Sequence, residues 1–157
     1  MKLLRWTFSS ILRYLISRRK SDPGLRLRVS NLTRQTLLAS RVEVADVGPK
    51  RRKGLLGRKQ LAPGEGLWTR PCEAVHTFGM KFAIDLVYLD RENRIVKIRN
   101  NVPPWRLSAC LSSHSVIELA AGSLRGMHSM PGDKLEFIPV SSSGTLLAYP
   151  QPRSSIQ

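Results

Sequence analysis

Acidic side chains are scarce in this chain: 11 Asp and Glu stand against 26 Lys and Arg, a formal net charge of +15. A field of that sign favours an anionic partner, a membrane surface or a nucleic acid, and by itself defines neither fold nor reaction. Cysteine is nearly missing. Cys72 and Cys110 are too few for a disulfide framework, and a single bridge between them is left open, so cysteine usage does not fix the compartment. There is no internal repeat, and no uninterrupted apolar run long enough to span a bilayer. Apolar residues nevertheless make up 41% of the chain, which separates it from disordered sequences. At 157 residues it is long enough to bury a core without disulfides or a metal.

The positive charge is distributed unevenly. Residues 1–60 hold 16 Lys or Arg and 3 acids, whereas residues 61–157 hold 10 and 8. At the N-terminus Leu4, Phe8, Ile11 and Leu15 share one helical face, with Lys2, Arg5, Ser9, Arg13 and Lys20 opposite them. This is the pattern of a basic amphipathic helix. Arg5 and Arg13 interrupt its apolar stretch, and no signal-peptide core or small-residue cleavage site accompanies it. Residues 1–20 are therefore expected to lie on an anionic membrane surface, placing the protein in the cytoplasm and on the inner face of the membrane. The plainer alternative is a helix docked on the domain, or a tail. Nucleic acid is the weaker partner, since no helix-turn-helix, zinc finger or aromatic RNA platform is recognisable around the basic residues.

Ser21-Asp22-Pro23-Gly24 reads as a linker, after which the texture changes. Leu25, Leu27 and Val29 alternate with Arg26, Arg28 and Ser30 as in a half-buried strand, and residues 36–45 form a second extended stretch. Pro49 opens a short helix carrying Lys50, Arg51, Arg52 and Lys53, a run that reads most simply as a solvated basic face. Ile84 to Leu89, the turn Asp90-Arg91-Glu92-Asn93 and the return Arg94 to Arg99 predict a β-hairpin. Residues 115–119 and 134–140 predict further strands, with a short helical turn within 121–127. The expected fold is mostly β, a sandwich or barrel with one or two short helices, over residues 25–140. A flexible tail is expected over 141–157.

The chemically richest segment runs from Pro71 to Asp90. Cys72, His76 and Met80 recur every fourth position, so a strand or a helix would place all three on one side. A thiolate, an imidazole and a thioether form a soft set suited to Cu(I). Cys110 and His114 repeat the spacing, and Met127, His128 and Met130 add further soft atoms. A cysteine nucleophile activated by His76, with Asp85 or Glu118 orienting the imidazole, is the competing chemistry. Residues four apart on a straight strand lie roughly 13 Å from one another, so that pair needs a turn between them. Asp85 and Glu118 each sit in an apolar run, where a carboxylate requires a cation or backbone donors; Lys81, Arg106 or His76 are the candidates for Asp85, and Arg58 or Lys81 for Glu118. For both carboxylates a structural role outweighs a ligand role. The candidate ligand-binding set is thus Cys72, His76, Met80, Lys81, Asp85 and Glu118.

Several ordered blocks carry a family resemblance: residues 52–58 (Arg-Lys-Gly-Leu-Leu-Gly-Arg), 64–67 (Gly-Glu-Gly-Leu), 72–81, Ile84-Asp85, Leu89-Asp90, 118–122 and Gly132-Asp133. Together they resemble the prokaryotic family called Domain of Unknown Function 192, over about residues 40–138. The resemblance implies a compact β-rich domain and no assigned activity. Many relatives carry Phe-Trp-Met-Lys near Thr77-Phe78-Gly79-Met80-Lys81; this chain resembles the branch with a Cys and a His ahead of the Met. The expected function is a small non-catalytic binding or accessory domain at the membrane. A Cu(I) binder through Cys72, His76 and Met80, and a cysteine-dependent enzyme, are the alternatives.

Overall fold

The half-buried strand read at residues 25–30 is present over Arg26–Asn31, with buried and partly buried residues alternating along it. The computed structural model describes residues 26–141; the amphipathic helix expected over residues 1–20, the expected linker at 21–24 and residues 142–157 lie outside the described residues. Nine strands follow in order: β1 (Arg26–Asn31), β2 (Thr36–Ala45), β3 (Glu65–Thr69), β4 (Ala74–His76), β5 (Ile84–Leu89), β6 (Ile95–Val102), β7 (Leu107–Ala109), β8 (Ser115–Ala120) and β9 (Leu135–Val140). One short helix, α1 (Gly48–Lys53), lies between β2 and β3. The fold is mostly β, as expected.

Seven strands form one sheet in the order β6-β5-β8-β3-β2-β1-β9, and β4 pairs with β7 in a separate two-stranded ribbon. Every pairing is antiparallel except β2 with β3, the parallel pair whose crossover contains α1. The hairpin predicted from the turn at 90–93 is present as β5 and β6. Asp90 closes it, its Oδ1 accepting from the N–H groups of Glu92 (2.9 Å) and Arg94 (2.8 Å). Residues 121–127 form successive turns, each closed by an N–H donating to the carbonyl three residues back.

The sheet is strongly curled. Trp68 on β3 stacks on Phe137 on β9 with ring centroids 4.0 Å apart, although two strands separate them in the sheet order. The edge strands meet at one end, where Arg94 bridges Lys134 and the Ile95 N–H donates to the Asp133 carbonyl at 2.9 Å. This arrangement is barrel-like. Its interior is filled by Leu27, Val29, Val42, Trp68, Val87, Leu89, Ile117, Leu119 and Phe137 among others. β5 lies between β6 and β8 and is buried on both faces, so its residues read as a nearly continuous apolar run rather than an alternation. Its outward residues Ile84, Leu86 and Tyr88 join Leu55, Leu61, Leu67, Val75, Met80 and Val116 in a second core outside the sheet. The ribbon and the α1 region cover that second core, and the candidate site lies along this layer.

Gly66 on β3 is required by close approach. A Cβ there would lie 2.8 Å from Leu119 Cδ2 and 2.9 Å from the Glu118 carbonyl oxygen.

Candidate functional site

Four of the six residues singled out in the sequence come together. Cys72, His76, Met80 and Glu118 line one pocket of about 80 Å³, with Thr69, Leu55 and Val75 beside them and Arg51, Arg52 and Lys53 on the α1 side. The spacing of four is realised on neither a single strand nor a helix. Cys72 precedes β4, His76 ends it, and Met80 returns after a turn in which its N–H donates to the Thr77 carbonyl at 3.2 Å. Gly79 takes φ +77° in that turn, a left-handed conformation that L side chains rarely adopt.

Glu118 is a buried member of this lining. β8 pairs beside β3, which brings Thr69 close enough for its Oγ1 to donate to Glu118 Oε1 at 3.2 Å. Burial pushes the Glu118 carboxyl up to about 7, against the lowering effects of the Thr69 hydrogen bond and the Arg58 charge. Near neutral pH it is therefore partly protonated, an acid able to donate. Burial also raises the Cys72 thiol above its ordinary value. The backbone bond to Ala74 and the charge of Arg51 work in the lowering direction, and the Glu118 carboxylate adds to the rise. The Cys72 thiol donates to the Ala74 carbonyl at 3.2 Å. Met80 is buried, whereas His76 is exposed and stacks on Phe78 with centroids 5.3 Å apart.

The other two singled-out residues lie elsewhere. Lys81 is exposed and does not line the pocket. Asp85 is 1% exposed, and its two oxygens accept from the N–H groups of Asn101 (2.8 Å) and Leu124 (3.2 Å). Those bonds tie the start of β5 to the end of β6 and to the turns after β8. The second soft group does not reach the pocket either. Cys110 packs against the second core with its Sγ 3.4 Å from Ser112 Oγ, Met127 packs against the barrel interior, and Met130 is exposed. Among the described residues no three His, Cys, Asp or Glu side chains are grouped so as to hold a metal ion.

The basic run is the solvated face that the sequence suggested, since Lys50, Arg51, Arg52 and Lys53 are all exposed; what sequence reasoning missed is that Arg51, Arg52 and Lys53 also border the pocket. Arg51 Nη1 donates to the Pro71 carbonyl at 3.2 Å, linking α1 to the segment entering Cys72. The sequence holds no local sign of that contact across 20 residues. A larger hollow of about 330 Å³ lies beside β2 and is lined by Lys50, Lys53, Arg58 and Glu43. The Glu43 carboxylate there is already paired with Arg58 at 3.0 Å and Arg26 at 3.5 Å.

The curled seven-stranded sheet with its covering ribbon defines a small, mostly β domain. The chain belongs to the family DUF192, described as "Uncharacterized ACR", which matches it over residues 29–137, against the resemblance read over about residues 40–138. No curated protein matches the chain. Among solved structures it is similar to a Sinorhizobium meliloti 1021 protein described as a "putative transcription regulator", with TM-score 0.64 and 24% identity over 73% of this chain and 93% of that one. It is also similar to a protein of unknown function from Novosphingobium aromaticivorans DSM 12444, with TM-score 0.61 and 21% identity over 71% of this chain and 83% of that one. At these identities the likeness shows the fold.

Proposed function

We propose that this chain is a non-catalytic binding module that takes a small anion, a carboxylate or another oxyanion, in the pocket between α1 and β4. The observation that carries the reading is Glu118, buried and held near neutrality, in a pocket that also presents Arg51, Arg52 and Lys53. A neutral carboxyl donates to an anion where an ionised one would repel it, and the basic side chains supply the attracting field. The pocket is small and opens to solvent, which suits a compact anion. The state of Cys72 supports binding over catalysis. Its thiol is raised by burial and donates to a carbonyl, whereas a nucleophilic cysteine needs a lowered pKa.

The test is a titration of the full chain with acetate, phosphate and sulfate, followed by NMR shifts of Cys72 and Met80 at pH 6 and pH 8. Binding is expected to be tighter at pH 6, where Glu118 is protonated. For acetate and sulfate, whose charge is the same at both pH values, it is expected to become insensitive to pH in Glu118→Gln, and for all three anions to weaken in Arg51→Ala/Arg52→Ala. Pocket signals that none of the three anions moves at either pH would overturn the reading.

A second reading is favoured by the meeting of Cys72, His76 and Met80 in one pocket. These three could hold Cu(I), and the metal would displace the Cys72 proton, so affinity would rise with pH, opposite to the anion. A Cu(I) competition titration on reduced protein separates the two, with tight one-to-one binding lost in Cys72→Ser and in Met80→Leu.

A further inference from the structure

The β4–β7 ribbon carries apolar residues on its outer face as well as its inner one. In an antiparallel pair over a core, the apolar residues face inward and the polar ones face water. Here the register joins Ala74 to Ala109 and His76 to Leu107, with Phe78 and Trp105 meeting beyond them at a centroid distance of 6.0 Å. All six are exposed, and Leu111 extends the same alternation. The residues turned inward are Val75 and Ser108, followed by Thr77, all buried. Trp105 is 66% exposed and Leu111 83% exposed, so large apolar groups stand in water at both ends of β7.

The platform is also built to hold that shape. Trp105 has φ +63°, an outlier for a bulky residue. The strained loop is fastened by Thr77, which is 1% exposed. The Thr77 carbonyl accepts from the Trp105 N–H at 3.0 Å, its Oγ1 accepts from the Arg106 N–H at 2.9 Å, and the same hydroxyl donates to the Pro103 carbonyl at 2.8 Å. Backbone strain fixed by buried hydrogen bonds is characteristic of functional surfaces.

We propose that this outer face is a membrane-docking surface. It lies against an anionic bilayer, with Phe78, Trp105, Leu107 and Leu111 entering the boundary between headgroups and acyl chains. Charge complementarity selects this occupant. Arg106 follows Trp105, with Nη1 3.1 Å from the Trp105 carbonyl oxygen. Lys97 Nζ donates to the Ala109 carbonyl at 2.7 Å along β7, and Lys81 is exposed just beyond Met80. Within residues 71–80 and 104–113 the sole acid is Glu73. Tryptophan settles at the headgroup level, and basic residues around an apolar patch add attraction to anionic lipid. A second copy of a chain carrying +15 would meet it with repulsion. A nucleic acid would gain nothing from Leu107 and Leu111, since bases stack on aromatic groups and phosphates pair with cations. The inference does not rest on the anion pocket, and anion titration can fail while lipid docking holds.

The experiment uses the full chain with Trp6→Phe, leaving Trp68 and Trp105 as the only tryptophans. Trp68 is buried against Phe137 and serves as the shielded background. Vesicles of equimolar phosphatidylglycerol and phosphatidylcholine are compared with the same vesicles carrying brominated acyl chains. Bromine is expected to quench a large part of the emission, and the quenched part should vanish when Trp105→Phe is added. Leu107→Ser/Leu111→Ser, checked for native circular dichroism, is expected to weaken vesicle partitioning about tenfold. Equal partitioning onto phosphatidylcholine alone would overturn the anionic assignment. Chain that sediments with vesicles while Trp105 stays unquenched would show attachment through another segment and overturn the inference, as would an absence of binding. A dimer dissolved by Leu107→Ser/Leu111→Ser, or saturable quenching of Trp105 by a single-stranded oligonucleotide, would assign the face to a different partner and overturn it equally.

Discussion

Replacing Glu118 by Gln should stabilise the protein at alkaline pH and leave it nearly unchanged in mild acid. The carboxyl titrates at about 7 in the fold against an ordinary 4.5, because burial disfavours its charge. Between those values the native state binds more protons than the unfolded chain, so stability falls as pH rises through the window and levels off above about 7. The displacement corresponds to about 3 kcal/mol when the window has been fully crossed. Between pH 5 and pH 8 the wild type should therefore lose about 2–3 kcal/mol more than Glu118→Gln. The amide keeps the size of the side chain, an oxygen for the Thr69 hydroxyl and a donor like that of the neutral acid. Urea unfolding of both proteins at the two pH values supplies the comparison, and other titrating groups cancel because both chains carry them. Parallel pH dependences would refute the placement of an ionisable carboxyl in a dry site.

Three further outcomes test the frame around the pocket. Asp85→Ala removes the acceptor of the Asn101 and Leu124 N–H groups, and denaturant unfolding should show a loss of about 1–3 kcal/mol; an unchanged midpoint would deny Asp85 its bracing role. Gly66→Ala forces a methyl against Leu119 and the Glu118 backbone, for which a loss of about 1–3 kcal/mol is expected. Wild-type stability in that variant would contradict the close packing of β3 on β8. Cys72 should react with an aromatic disulfide reagent more slowly at pH 7 than a free thiol does, with the rate still climbing past pH 9.0, where that of an ordinary thiol begins to level off. A fast reaction at neutral pH would return the cysteine enzyme to consideration.

Local signals carried the parts of the fold that depend on local chemistry. Asp90 and Asn93 mark the β5–β6 turn because one carboxylate can satisfy two nearby N–H groups, and that requirement is visible in a few consecutive letters. Pro49 likewise marks the start of α1. The parallel pairing of β2 with β3 and the place of β8 between β3 and β5 are long-range choices with no such mark. Glu118 reaches the pocket through that sheet order alone. Cys72, His76 and Met80 do share their surroundings, but through the turn at Gly79 that returns Met80, which was unread, and not through a spacing of four along one element. The alternation of Ala74, His76 and Phe78 with Trp105, Leu107, Ala109 and Leu111 was available to a period-two reading. It was obscured because such a pattern ordinarily marks the inward face of a strand.

Thr77 has a consequence for association kinetics. A loop that must be ordered at the moment of contact subtracts its lost conformational freedom from the binding free energy and slows productive encounter. The three hydrogen bonds of Thr77 set the Trp105 loop before any partner arrives. Encounter is then limited by orientation and by the field of the basic side chains, so association should be fast and weaken with salt. Loosening the clamp with Thr77→Val should slow the on-rate while the exposed contact groups remain chemically unchanged.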